Sequence, residues 1–374
     1  MNYILKYENL QLGDIILQSG HKLHSNAIKK YTKSNFSHSM ICVGGMSIVH
    51  AEKEGIFSLN PQRLLVENMT DLKVLRFNQK LSNDELKEIE FFLRDKIGSV
   101  YSVIEALSVV NRNRKEGSNN KYQFCSRLVA QAYQHINYQI VDDINFCSPA
   151  DIEKSNLFYE VKDIVRKAEE NDINFARTRN IIKENQTSMY NWLNKTRDLA
   201  NKKYNFTISK VNDVDKFLSQ HHNEDNIICD LIIKSGYLEN YLIEIENNPH
   251  MHDENIFIEK FKDIDNIIYA LEKEFSNIPS HTNRAIQNYQ NSLSNYQNTN
   301  FKYYKLHTKL YKELLGVSLS KFITLFNVSK KLILDGNKNK GLMILMLSSQ
   351  QNIEVLQQLE IEKYNKSLEK NIWP

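Results

Sequence analysis

One cysteine in the N-terminal part of the chain lies where a reactive thiol would be expected. A thiol becomes a good nucleophile when its pKa is lowered, and a helix N-terminus and a neighbouring imidazole both lower it. Cys125 immediately precedes an amphipathic run from Ser126 to Tyr133, so we expect its sulfur at the positive end of a helix dipole. The alternative interpretation is a small buried cysteine with a structural role only.

Two histidines could act on such a thiol. His38 precedes the strand-like run Ser39–Val43, and His50 ends the next such run, which begins at Ser47. The pair Gly44-Gly45 separates the two runs and predicts a tight turn between adjacent strands. On adjacent strands one imidazole could brace the other, fixing its tautomer and steadying an imidazolium. For either histidine alone, a partly exposed residue at a strand end is the other interpretation.

The first half of the chain has the pattern of an α+β fold. Seven of the eleven glycines lie before residue 120, where they separate short apolar runs as tight strand connections do. Asp14–Leu17 and Leu72–Phe77 are further predicted strands, and Asp84–Leu93 and Phe124–His135 have apolar residues at helical spacing. We predict a small antiparallel sheet packed against helices, including the helix that begins at Cys125.

The second half of the chain has a helical pattern. Beyond residue 168 the sequence becomes rich in Lys, Asn, Gln, Glu, Leu and Ile, with few helix breakers. Apolar residues recur three and four apart in Ile227–Ile245, Ile256–Phe275 and Leu314–Leu334, and Asp335-Gly336-Asn337 should end the last of these stretches. We therefore predict an α+β domain over residues 1–168 and an all-α domain of unassigned role over residues 169–374.

Six motifs of the first half, in their order along the chain, carry a resemblance to a known family. They are Gly13-Asp14-Ile15-Ile16, Ser37-His38-x-x-Ile41, Val49-His50-Ala51 with Gly55-Ile56, Gly98-x-x-Tyr101, Phe124-Cys125-Ser126-x-Leu128-Val129 and Ser148-Pro149-Ala150-Asp151-Ile152. About residues 10–165 resemble the circularly permuted NlpC/P60 (papain-like) cysteine hydrolases of the YiiX-like kind and, more distantly, the lecithin:retinol acyltransferase group. The histidine strand precedes the cysteine, as in the permuted branch.

The resemblance implies catalytic roles for three residues. Cys125 would attack an amide or ester carbonyl, His38 would shuttle the proton as general base, and His50 would orient His38. Glu52 is the alternate third member, because related permuted proteins often have a glutamate near this point.

The resemblance also implies an oxyanion site. The backbone N–H of Cys125 would bind the developing oxyanion, helped by a side chain from the opposite wall, for which Tyr101 and Tyr122 are candidates. Some positions depart from the family pattern: Ser39 and Met40 replace a common Val-Gly, and Arg127 occupies a usual glutamate position. These departures bear on substrate specificity more than on the three catalytic positions.

The remaining cysteines and motifs suggest no second chemistry. Cys42 lies within the His38 strand and Cys147 in a loop-like stretch, so both are interpreted as structural. The sequence contains no P-loop, no dinucleotide-binding glycine motif and no full metal-ligand set with recognised spacing. We therefore expect no cofactor and no metal.

Composition limits the class of partner. The 374 residues are 41% apolar, which is enough for a substantial core. The 48 basic and 45 acidic residues leave a formal charge of +3, so no strong field favours nucleic acid or an anionic membrane. The N-terminus lacks the pattern of a secretory signal, and no stretch reaches the roughly 20 apolar residues of a spanning helix. We expect a cytoplasmic protein, or one exported without a cleavable signal as an effector.

Two functions remain open at this point. The leading hypothesis is a cysteine-dependent hydrolase or acyltransferase that works through a thioester on Cys125, with a cell-wall-like peptide or a lipid acyl group as substrate. The alternative is a non-catalytic binding or scaffold protein, in which the helical half binds a protein partner or associates with itself.

Overall fold

The structure, a computed structural model, describes residues 2–20, 34–100 and 124–361 of the chain. The chain forms two units: one comprises Met1–Leu193 and Arg197–Phe217, and the other comprises Asn194–Thr196 and Leu218–Pro374. Within the described ranges, no helix is long and apolar enough to cross a membrane.

The first unit is built on antiparallel strands. They are β1 (Tyr3–Leu5), β2 (Ile15–Gln18), β3 (His38–Cys42), β4 (Ile48–Glu52), β5 (Gly55–Leu59), β6 (Leu72–Phe77), β7 (Phe158–Glu160) and β8 (Val165–Lys167). Six of them form one sheet in the order β5-β4-β3-β2-β6-β7, with every neighbouring pair antiparallel. Strands β1 and β8 form a separate antiparallel pair.

Along the chain, three described helices lie between β6 and β7: α1 (Asn83–Asp95), α2 (Cys125–His135) and α3 (Pro149–Glu153). The predicted strands correspond to β2, β3, β4 and β6, and the two predicted helices correspond to α1 and α2, so the α+β prediction is confirmed. Strands β1, β5, β7 and β8 were not predicted from the sequence. Three of these have only three residues, too few for an alternating pattern to be recognised.

The main sheet buries a different apolar cluster on each face. Successive strand residues point to opposite faces, so Leu17 and Ile41 lie in one cluster with Leu128 and Val129 of α2. Met40, by contrast, lies in a second cluster with residues of β1 and β8. The helix that begins at Cys125 therefore packs on the sheet face to which the odd-numbered residues of β3 point.

The turn between β3 and β4 depends on left-handed backbone. Gly44, Gly45 and Met46 have φ angles of 73°, 54° and 56°, a conformation that glycine adopts without steric cost. The amide of Val43 donates to the carbonyl of Ser47 at 3.0 Å and closes the turn. The predicted glycine turn is thus present, and it brings the ends of the two histidine-bearing strands together.

The strands end with β8, and three helices follow: α4 (Glu170–Arg177), α5 (Ile181–Tyr204) and α6 (Asp213–Gln220). The first unit therefore continues beyond residue 168. The side-chain amide of Gln186 accepts from the amide of Ser58 at 2.7 Å and donates to its carbonyl at 3.0 Å. Because β5 is an edge strand, α5 covers backbone groups that no neighbouring strand pairs.

The second unit is helical, as predicted. Its helices are α7 (Asp225–Lys234), α8 (Asn240–Asn247), α9 (Glu254–Phe261), α10 (Ile264–Thr299), α11 (Lys302–Leu334) and α12 (Lys340–Gln358). The predicted stretch Ile227–Ile245 is interrupted at Gly236, with φ 73°, and Ile256–Phe275 is interrupted at Lys262, with φ 63°. The predicted end at Leu334 is confirmed, and Gly336 follows it with φ 94°.

Candidate active site

Cys125 is the first residue of α2, as the sequence predicts. Phe124 precedes it in extended conformation and occupies the N-cap position. The first amides of a helix have no partner within the helix and carry the positive end of its dipole, which favours an anionic sulfur. The Cys125 side chain is buried against the sheet.

His38 is the neighbour that most strongly favours ionisation of this thiol. His38 begins β3 and pairs in register with Gln18 of β2. Its imidazole and the Cys125 thiol shift each other's pKa through charge and hydrogen bonding. The structure therefore brings together two residues that are far apart along the chain.

The interaction shifts the pKa of both groups in the direction that favours a thiolate–imidazolium ion pair. Burial alone would raise the pKa of the Cys125 thiol, but the charge and hydrogen bond of His38, with a smaller contribution from Ser39, lower it to about 7. Burial alone would lower the pKa of His38, but the hydrogen bond and charge of Cys125, followed by the charge of Glu52, raise it above its usual value. Thiolate and imidazolium thus stabilise each other.

His50 braces the other side of the His38 ring. It lies on β4 opposite Met40, and its Nδ1 is 3.2 Å from Nε2 of His38. Burial, followed by the charges of His38 and Lys183, lowers the pKa of His50 to about 3. His50 is therefore neutral at neutral pH and can accept a hydrogen bond from His38.

Glu52, the alternate third member, is less closely engaged. Its carboxylate Oε1 lies 3.7 Å from Nδ1 of His50, and its side chain is 47% exposed. It acts on His38 through its charge, which raises the pKa of that imidazole. Of the two candidates, His50 contacts His38 directly, whereas Glu52 lies beside His50.

Two neighbours of Cys125 anchor the start of α2. The hydroxyl of Ser126 donates to the carbonyl of Cys147 at 2.8 Å. Arg127 is fully buried, and its Nε and Nη2 donate to the carbonyl of Asn145 at 3.1 and 2.8 Å. Its guanidinium also lies 4.4 Å from the centre of the Phe124 ring. In the sequence, Arg127 stands out only as a departure from a family pattern.

The other three thiols lie in environments that keep them protonated. Burial raises the pKa of Cys42 to about 11 and that of Cys229 to about 12, and it raises the pKa of Cys147 still further. All four cysteines are free and buried, so Cys125 is distinguished by its imidazole neighbour and not by exposure.

Two residues proposed from the sequence cannot be placed. Tyr101 and Tyr122, the candidate oxyanion side chains, lie outside the described residues. Within the ranges that the structure describes, no group of three or more His, Cys, Asp or Glu side chains is arranged to hold a metal ion.

Comparisons with known proteins bear on the first unit. Residues 9–187, a little under half of the chain, match the sequence model of a family described as permuted papain-like amidase enzymes, YaeF/YiiX, C92 family. Among solved structures, the chain is similar to the crystal structure of metalloprotein yiiX from Escherichia coli O157:H7, with 16% identity and a TM-score of 0.28. That similarity covers 40% of this chain and 96% of the other. No curated protein matches the chain.

The family match includes both strands that carry the histidines and the helix that begins at Cys125. It agrees with the resemblance that six sequence motifs indicated, and with an antiparallel sheet packed against that helix. Over residues 9–187 the chain is therefore similar to the permuted papain-like amidases of the YaeF/YiiX kind.

Proposed function

We propose that the first unit is a cysteine amidase in which Cys125 is the nucleophile, His38 the general acid and base, and His50 the residue that orients His38. The observation that carries this proposal is the mutual effect of Cys125 and His38, which lowers the pKa of the thiol and raises the pKa of the imidazole. Such a pair supplies an ionised sulfur near neutral pH, which amide cleavage by a cysteine requires.

The contact with His50 indicates which neighbour each ring nitrogen of His38 faces. Nε2 of His38 faces Nδ1 of His50, so Nδ1 of His38 is the nitrogen left for the thiol. A neutral His50 accepts the Nε2 proton of His38 in both charge states of the pair. His50 then fixes the tautomer and the ring orientation without taking up a proton itself.

The reaction follows from these positions. The Cys125 sulfur attacks the carbonyl carbon, and the oxyanion forms beside the amides at the start of α2. The carbon–nitrogen bond breaks as His38 gives its proton to the leaving amine, which leaves a thioester on Cys125. Water then attacks the thioester, His38 takes a proton from it, and the carbon–sulfur bond breaks to release the acid and the thiolate.

A peptide-type amide is the substrate class that we propose. The family description specifies an amidase, and a papain-like nucleophile forms the same thioester from an amide as from an ester. A lipid acyl ester would acylate the same sulfur, so the two classes have to be separated by experiment.

The test is detection of the covalent intermediate. The full chain would be mixed with a panel of acylated peptide amides, including cell-wall-type stem peptides, and separately with long-chain acyl esters, then quenched in acid and examined by intact-protein mass spectrometry. We expect an acyl adduct on Cys125 with amides, accompanied by release of the amine. Cys147→Ala, which removes a buried thiol of raised pKa, is the matched control and should still form the adduct.

Two results would overturn parts of this proposal. Turnover of amides by Cys125→Ala would show that Cys125 is not the nucleophile. Adducts with acyl esters but with none of the amides would reject the amidase and favour an acyl-ester hydrolase at the same site.

A further inference from the structure

The outer face of α12, the last helix that the structure describes, is largely apolar. Opposite the buried residues Leu342 and Leu356, this face consists of exposed residues: Lys340, Met343, Ile344, Leu347, Gln350, Gln351, Glu354 and Val355. Its four large apolar side chains are between 46% and 65% exposed. Isolated apolar side chains are ordinary on a protein surface, but a group of them on one helix face is typical of an interaction surface.

The middle of this helix carries no charge. Residues 341–353 include no Asp, Glu, Lys or Arg, whereas the solvent-facing side of a surface helix ordinarily carries charged residues. Covering uncharged side chains does not require an ion to lose its water. The outer face is therefore suited to burial against another apolar surface.

The two charges of the outer face are placed symmetrically about its centre. An α-helix turns by about 100° per residue, so Lys340, Leu347 and Glu354, at intervals of seven residues, lie within about 40° of one another around the helix axis. The Glu354 carboxylate accepts from the neutral side-chain amide of Gln350 at 2.9 Å, so its negative charge is still available to a cation. Leu347 is thus the midpoint of an apolar face that has a positive charge at one end and a negative charge at the other.

We propose that the outer face of α12 binds a second copy of the chain, with the two helices antiparallel and Leu347 facing Leu347 at a two-fold axis. Lys340 of each copy then lies beside Glu354 of the other, because both residues are seven positions from the axis. A parallel pair would set lysine against lysine and glutamate against glutamate. An interface between two identical surfaces has to be complementary to itself, and the antiparallel direction satisfies this condition.

The lengths involved select the crossing angle of the two helices. Seven residues at 1.5 Å each place Lys340 and Glu354 about 10 Å from the axis along the helix. At the common crossing angle of about 20°, the two helices diverge by only about 4 Å at that distance, which lysine and glutamate side chains can span. At about 50° they would diverge by about 9 Å, and the pairs would be lost. The apolar centre supplies the affinity, and the end charges set the direction.

A second copy fits this face better than a membrane does. Helices that lie on anionic membranes carry several Lys and Arg residues beside their apolar face. On the outer face of α12, Lys340 is the one basic residue, and the acidic Glu354 offsets its charge. A nucleic acid is disfavoured for the same reason.

The experiment measures self-association of the full chain by analytical ultracentrifugation at low ionic strength. Concentrations from about 1 to about 200 µM are needed, because an interface of one helix per copy lies at the small end of specific complexes. We expect the wild type to form dimers reversibly. Leu347→Glu should weaken dimerisation by about 30-fold or more, because it sets two carboxylates against each other at the axis. Ile227→Glu makes the same change at a residue of α7 that is 46% exposed, and should dimerise as the wild type does.

Two charge variants test the antiparallel direction. Lys340→Glu and Glu354→Lys each replace two attractive pairs by two repulsive ones, so each should weaken dimerisation by roughly 10- to 50-fold. An equimolar mixture of the two variants restores opposite charges at both ends and should form a heterodimer with about the wild-type affinity. Within one chain the two positions are about 21 Å apart along the helix, so the recovery has to arise between copies. Lys234→Glu, which makes the same change of net charge on α7, is the control and should leave the wild-type affinity unchanged.

Three results would overturn the inference. A wild type that stays monomeric at the highest concentration would show that the face binds no second copy. A dimer that Leu347→Glu leaves intact would place the interface elsewhere, and charge variants that stay monomeric when mixed would reject the antiparallel arrangement. For a monomeric wild type, binding to phosphatidylglycerol vesicles that Leu347→Glu abolishes would assign the face to a membrane. Cross-links between α12 and residues 362–374 of the same chain would assign it to that segment instead.

Discussion

His38 and His50 meet edge to face: Nε2 of His38 lies 3.2 Å from Nδ1 of His50, and the ring planes are inclined at 80°. The contact exists because the Gly44-Gly45 turn sets β4 against β3, with Met40 opposite His50. His38 lies two residues before Met40 on β3, so the two rings reach each other diagonally across adjacent strands. One imidazole can therefore face the thiol while the other holds it in place.

The first prediction separates His50 from Glu52. His50→Ala should lower amide turnover by about 10- to 100-fold, as loss of a hydrogen bond that orients a catalytic imidazole typically does. Glu52→Gln should lower it by less than about threefold, because an exposed carboxylate 3.7 Å from His50 acts only by its charge. Initial rates at pH 7 check both variants. A larger loss of turnover in Glu52→Gln than in His50→Ala would show that Glu52, and not His50, orients His38.

The second prediction concerns acid stability. His50 has a pKa of about 3 in the folded state and about 6.5 when unfolded, so below pH 6.5 the unfolded chain binds a proton that the folded chain does not. Stability should therefore fall as the pH falls through this window. Between pH 6.5 and pH 5 the loss from this group is about 2 kcal/mol.

Urea unfolding at pH 7 and pH 5 checks this. His50→Gln should lose about 2 kcal/mol less than the wild type over that range. His135→Gln, which replaces an exposed imidazole paired with Glu88, is the control and should follow the wild type closely. Equal acid losses in wild type and His50→Gln would contradict a buried neutral His50.

The third prediction tests how α5 is joined to the sheet. Gly55 has φ 144°, and a Cβ built on it would overlap the ring of Tyr190, whose hydroxyl donates to the carbonyl of Ile56 at 2.8 Å. Gly55→Ala should therefore cost about 2–4 kcal/mol. Gly236 also has a positive φ, 73°, but a Cβ built on it would meet nothing within 4 Å, so Gly236→Ala should cost only about 1 kcal/mol. Thermal denaturation compares them, and equal losses would show that Tyr190 does not approach Gly55 so closely.

The fourth prediction concerns Arg127, which anchors the start of the helix that carries the proposed nucleophile. Arg127→Met should cost about 2 kcal/mol, because the Asn145 carbonyl would lose its donors. It should also slow alkylation of Cys125, since the same contact fixes the start of α2. Arg179→Met, which breaks an exposed ion pair with Glu184, should cost less than about 1 kcal/mol and leave the alkylation rate unchanged. An unchanged alkylation rate in a destabilised Arg127→Met variant would show that Arg127 contributes to stability and not to the reactivity of Cys125.

Sequence reasoning reached the central elements of the site because their signals are local. The Gly44-Gly45 turn predicts adjacent histidine strands, and the amphipathic run after Cys125 predicts a helix that begins at that residue. Six motifs in family order then joined the cysteine to the histidines.

Other features depend on contacts between distant parts of the chain. A single arginine after the cysteine gives no sequence signal of its own, so Arg127 was noticed only as a departure from a pattern. Its hydrogen bonds to the Asn145 carbonyl arise from packing of α2 on the loop before α3. Helix α9 likewise ends at Phe261 without a local signal, because the next two residues, Lys262 and Asp263, include no glycine or proline that would have predicted the break.

The most direct test of the account is the pH profile of Cys125 alkylation in the wild type and in His38→Ala. With the imidazole present, the profile should have its midpoint near pH 7. Without it, the midpoint should rise toward the ordinary thiol value of about 8.5, and the rate at pH 7 should fall by roughly tenfold or more. Superimposable profiles for the two proteins would contradict the claim that His38 and Cys125 share a proton.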